Sequence, residues 1–98
     1  MRTLPQKEAK AFVAFLLGGM LREMDPGPLM LDFDELSPED RALFHQEMRK
    51  TVETVCWAWN HPDAQQDDRA RRIGPIQWPV FTETDLEEIQ QAACLRSA

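Results

Sequence analysis

The stretch from Ser37 to Asn60, SPEDRALFHQEMRKTVETVCWAWN, limits the fold more than any other part of the chain, because it holds a start signal, a long apolar stripe and a stop. Ser37 suits an N-cap: its hydroxyl can accept a hydrogen bond from a backbone N–H that the first helical turn leaves without a partner. Pro38 then takes the first helical position, where its missing N–H costs nothing and its fixed φ fits the helix. Glu39 and Asp40 set negative charge against the positive end of the helix dipole. Phe44, Met48, Val52, Val55, Cys56 and Trp59 recur mostly at spacings of three and four, which makes one apolar face flanked by Leu43 and Trp57. Arg41, Gln46, Glu47, Arg49, Lys50 and Glu53 fall on the other, solvent-facing side, where Arg49 and Glu53 can pair across one turn for roughly 0.2–0.5 kcal/mol. Asn60, His61 and Pro62 stop the helix, Asn by tolerating a left-handed cap and Pro by being unable to continue the ladder.

The 98 residues suffice for one domain, 1–98. At this size folding buries roughly 60–68% of the surface of the unfolded chain, so a modest core forms without disulfides or metal. A hydrophobic content of 43% and a charged content of 29% argue against wholesale disorder. Eleven Lys and Arg against seventeen Asp and Glu leave a net charge of −6. That balance disfavours general nucleic-acid binding, because phosphate affinity is built from clustered cations. Acidic domains meet basic proteins or are simply soluble. Two cysteines, Cys56 and Cys94, are too few for a secreted disulfide framework and are expected to be reduced, small apolar residues in a cytoplasmic protein.

Ahead of the central helix, Thr3 and Gln6 have capping-box spacing and Pro5 is allowed in a first turn, which predicts a helix from about Leu4 to Met24. Its apolar residues, Ala9, Phe12, Val13, Leu16, Leu17, Met20, Leu21 and Met24, with Phe15 beside them, form an unusually wide stripe. Such breadth fits a helix packed on two sides or one that also meets a second chain. The run AFVAFLLGGML follows basic residues as a signal peptide would, but Glu8 and the lack of a small-x-small cleavage site speak against one. It is also too short to span a bilayer, which needs about 20 apolar residues. Gly18 and Gly19 cost a helix roughly 1 kcal/mol each, which calls for a reason such as close approach of another helix, or a kink.

Asp25-Pro26-Gly27-Pro28 breaks that helix as a turn. Leu29, Leu31 and Phe33 then alternate with Met30, Asp32 and Asp34, as either a short edge strand or an extended linker laid over the helices. Residues 63–75 read as a loop. Ile76, Trp78 and Val80 make a second extended apolar segment, which Pro79 bars from a central strand position and which is expected to plug the core or lie against the segment near Phe33. Thr84 and Glu87 form a capping-box pattern that opens a last helix with Leu86, Ile89, Ala92, Ala93 and Leu95 turned inward. The expectation is an all-α domain of three helices with two extended connectors and at most a minor two-stranded pairing.

The chemistry of catalysis and metal binding is missing. Zinc would need converging ligands, but His45 and Cys56 lie about 16 Å apart along one helix, and Cys56, His61 and Cys94 follow no metal-site spacing. Asp32-Phe33-Asp34-Glu35 begins like a calcium loop, yet Leu36, Ser37 and Leu43 stand where a ligand, the turn glycine and the closing glutamate belong. There is no GxSxG elbow, P-loop or GxGxxG. No enzyme activity, cofactor or metal is expected. The run LDFDELSPEDRALFHQEM resembles segments in small bacteriophage proteins and in a ryanodine-receptor repeat, where an aromatic, acidic and leucine run precedes a capped helix; the resemblance implies that helix start and nothing more.

What remains is binding. The leading expectation is a small acidic protein–protein interaction module that self-associates as a homodimer, with Phe12, Phe15, Gly18, Gly19 and Trp57 as its apolar contact residues. Seven carboxylates, Glu23, Asp25, Asp32, Asp34, Glu35, Glu39 and Asp40, run without an intervening Lys or Arg. They are either a solvated loop or a docking surface for a basic partner, and the second reading gives the alternative function, a phage-type or mobile-element inhibitor filling a basic nucleic-acid groove. Arg69, Arg71 and Arg72 either pair locally or contact an anion, with Trp78 available for stacking. Direct nucleic-acid binding through them ranks last, and no membrane partner is expected.

Overall fold

The computed structural model describes residues 1–21, 31–65 and 68–97. Three long helices carry the architecture: α1 (Gln6–Leu21), α2 (Pro38–Trp59) and, last in the chain, α5 (Glu83–Ser97). Two short helices, α3 (Pro62–Gln65) and α4 (Asp68–Ile73), follow α2, and β1 (Arg2–Thr3) pairs with β2 (Ile76–Gln77). This is the small, mostly α-helical domain with a minor two-stranded pairing that the sequence predicts.

α2 forms as its local signals dictate. Ser37 stays extended and its hydroxyl accepts the Asp40 N–H at 3.1 Å, with Pro38 in the first turn. Met48, Val52, Val55, Cys56 and Trp59 are buried, Phe44 is partly so, and Ala58 joins them. The helices' directions follow from their cross-links. Gln6 bonds Asp85 and Lys10 bonds Glu88, advancing the same way along both helices, so α1 and α5 run parallel. Arg41 bonds Glu87 whereas Arg49 bonds the Phe81 carbonyl, so α2 runs antiparallel to them. Ala9, Val13, Ala14 and Leu17 of α1 meet Leu86, Ile89 and Ala93 of α5 over the α2 stripe and Phe81. A second cluster, Trp59, Ala70 and Ile76, closes the end where α2 stops; Leu4, Leu16 and Trp78 pack on both clusters.

Several local expectations are overturned. Residues 63–75 are not a plain loop: α3 and α4 are too short for apolar periodicity to reveal, and α4 buries only Ala70 among its residues. Gly74, at φ 89°, closes α4 with a bond from its N–H to the Ala70 carbonyl at 2.9 Å, a left-handed cap that favours glycine. Of the two expectations for the segment at Ile76 and Trp78, plugging the core holds, with Ile76 fully buried, and lying by Phe33 does not, because β2 pairs in parallel register with β1, Arg2 opposite Ile76 and Thr3 opposite Gln77. The segment before α2 is a turn at Phe33, because Asp32 captures the Asp34 N–H at 3.1 Å and its carbonyl takes that of Glu35. Phe33 is buried against Phe44, 4.8 Å between rings.

The caps of the outer helices shift likewise. Thr3 lies in β1, and Gln6 spends its amide on the Val80 carbonyl at 3.0 Å and Asp85 at 2.8 Å, so no Thr3–Gln6 box forms. At α5 the capping box is Thr82 with Asp85: the Asp85 carboxylate takes the Thr82 N–H at 2.9 Å and the Thr82 hydroxyl takes the Asp85 N–H at 3.1 Å. The pair Thr84 and Glu87 has the same spacing, but Glu87 is claimed by Arg41. Leu95 is 69% exposed rather than inward, since at about 100° per residue it stands nearly opposite buried Ala93. Asn60 ends α2 at φ −80°, not left-handed, and its side chain clamps Ile76 instead, donating to the Ile76 carbonyl at 2.9 Å and accepting its N–H at 2.8 Å.

Asp85 is a buried carboxylate at the meeting point of α1 and α5, with the Lys10 ammonium 3.2 Å away. Burial by itself raises its pKa, but the Thr82 N–H, the Gln6 amide and Lys10 outweigh that and bring it down to about 2. The folded value lies below the ordinary 3.8, so the carboxylate stabilises the fold fully above that ordinary value and loses its contribution as pH falls through about 2. Urea unfolding measured across that window is expected to show wild-type stability falling with pH, and Asp85→Asn to flatten that slope. An unchanged slope in the variant contradicts the assignment.

Candidate interaction surface

The three long helices bury their apolar faces on one another, which leaves the outer side of α2 open to solvent. Leu43, Gln46, Glu47, Lys50, Glu53, Thr54 and Trp57 are all exposed there. At about 100° per residue they lie within roughly 60° of Lys50, so they form one face. Leu43 and Trp57, which flank the stripe in the sequence, turn outward at 56% and 54% exposure. Trp57 stacks on His61 at 4.1 Å with ring planes 14° apart, and the His61 Nδ1 lies 2.7 Å from the Trp57 carbonyl. Lys50 reaches Glu47 at 3.4 Å.

Three shallow hollows meet at Glu53. One of about 230 Å³ lies between α2 and the segment carrying Trp78, Pro79, Val80 and Phe81, with Val52 and Cys56 in its floor. A second shares Arg49 and Glu53 with it and extends past Gln46 to Ala42. The third runs from Lys50 and Glu53 to Trp57. Val80, 85% exposed, stands at the edge of the first.

The polar side of α2 is less uniformly wet than its sequence implies. Arg41 holds Glu87 through two bonds of 2.9 and 2.8 Å, and His45 Nε2 lies 2.5 Å from the same carboxylate. The Arg41 bonds, more than the contact with His45, keep the Glu87 carboxyl below its ordinary range against the opposing effect of burial. Arg49, expected to pair with Glu53, donates to the Phe81 carbonyl at 3.0 Å. These contacts tie α2 to α5 and to the segment just before it, a role that spacing on α2 alone gives no signal for.

The acidic residues Asp32, Asp34, Glu35, Glu39 and Asp40 are exposed around the start of α2, with Arg41 at 3.9 Å from Asp34. Glu23 and Asp25 lie outside the described residues, as does the predicted end of the first helix at Met24. The proposed apolar contact set divides. Phe12 faces inward, edge-on to Trp59 at 5.0 Å between centroids and 6.1 Å from Trp78, so it belongs to the core. Gly18 is buried, whereas a Cβ at Gly19 would meet nothing within 4 Å, so among the described residues no helix of the same chain approaches that glycine closely. Phe15 is exposed on α1 and Trp57 on α2, on different helices.

Arg69, Arg71 and Arg72 are exposed on α4, where Arg71 bonds Asp63 at 3.2 Å and Arg72 donates to the Asp68 carbonyl at 3.4 Å. Trp78, named with them for stacking, is partly buried and packs on both core clusters, and among the described residues its buried indole N–H has no hydrogen-bond partner. Both cysteines are buried and neither forms a disulfide. Burial, reinforced by the Glu53 charge, pushes the Cys56 thiol up to about 12, and burial raises Cys94 against the opposing bond from Gln90. Neither is a ready thiolate nucleophile at neutral pH. Among the described residues no three His, Cys, Asp or Glu side chains converge as metal ligands would, and no helix is long and apolar enough to cross a membrane. No protein-family model, curated protein or solved structure matches this chain.

Proposed function

We propose that the protein is a binding module that presents the outer side of α2 to another protein, in the cytoplasm and without catalysis of its own. The observation that carries this reading is continuity: the hollows edged by Trp57 and Val80 share Glu53, so these exposed apolar groups belong to one surface. Single exposed apolar residues are ordinary, whereas a joined patch rimmed by charge is where partners dock. Capture from the native host with the wild type and with Trp57→Ser plus Val80→Ser tests it. A protein retained by the wild type and lost by the double variant is the expected result, and equal retention by both contradicts the reading.

A second reading is favoured by the five exposed carboxylates of residues 32–40. A surface of that charge suits a basic, nucleic-acid-binding protein whose groove it would fill in place of phosphates. Binding of that kind falls with rising salt. Changing Asp32, Asp34, Glu35 and Asp40 to amides is expected to abolish it, and binding retained in full by that variant removes the reading.

A further inference from the structure

We draw no further inference here: the strongest candidate, the hollow between α2 and the segment carrying Trp78, Pro79, Val80 and Phe81, belongs to the surface already described, and nothing in the structure shows what covers it.

Discussion

Replacing Trp59 with alanine is expected to cost about 3–5 kcal/mol of folding stability, the usual range for deleting a large buried aromatic. Trp59 is 4% exposed and is the largest member of the cluster it forms with Ala70 and Ile76. Its ring meets Phe12 edge-on at 5.0 Å, and its indole N–H donates to the Gly74 carbonyl at 3.1 Å. Alanine removes the packed area, leaves a cavity and strips that carbonyl of its partner. Domains of this size lose on the order of 4–8 °C in Tm per kcal/mol, so a thermal scan as well as urea unfolding resolves the effect. Trp59→Phe keeps most of the area and loses the hydrogen bond, for a smaller cost of about 0.5–1.5 kcal/mol plus whatever the shape change adds. Exposed Trp57→Ala is the control and is expected to stay within about 0.5 kcal/mol of the wild type. Equal losses at positions 57 and 59 contradict the burial pattern of α2.

Asn60→Ala is the second large effect, at about 2–4 kcal/mol. The Asn60 amide satisfies both backbone groups of Ile76, and alanine leaves a donor and an acceptor beside a fully buried side chain without partners. Each orphaned buried group costs about 1–3 kcal/mol, toward the low end here because Asn60 itself is only partly buried. Asn60→Asp keeps the acceptor for the Ile76 N–H and loses the donor to its carbonyl, so its loss is expected to fall between wild type and Asn60→Ala. Trp59 and Asn60 grip the same segment, Gly74 to Ile76, so the double variant is expected to lose less than the two single losses added together. Strict additivity in urea unfolding shows that the two side chains act independently and removes the idea of a shared clamp.

The fate of Asn60 shows how far local reading extends. Its position at the end of α2 is evident from the chain, because Asn, His and Pro follow the last apolar residue of the stripe. Its function as a clamp is not, because Ile76 lies sixteen residues away and nothing local in either segment names the other. Spacing sets Leu43 and Trp57 at the flanks of the stripe, and the solvent exposure of both depends on where α1 and α5 settle. The proposed binding surface is legible only in pieces: spacing marks Trp57 and sets Glu47, Lys50 and Glu53 on the wet side, whereas Phe12 packs against the core. An apolar residue in a wide stripe carries no mark saying whether a partner chain or its own domain covers it.

By itself the sequence determined α2, from the Ser37 cap through the stripe to the stop at Asn60, and the mostly helical class of the domain. Those follow from interactions between residues three or four apart, which the order of side chains specifies directly. Tertiary structure decided the parallel pairing of Arg2 and Thr3 with Ile76 and Gln77, the choice of Thr82 with Asp85 over Thr84 with Glu87 as the cap of α5, and the inward turn of Phe12. In each the local options were near equal, and contacts between residues distant in the chain, made together when the helices packed, selected one.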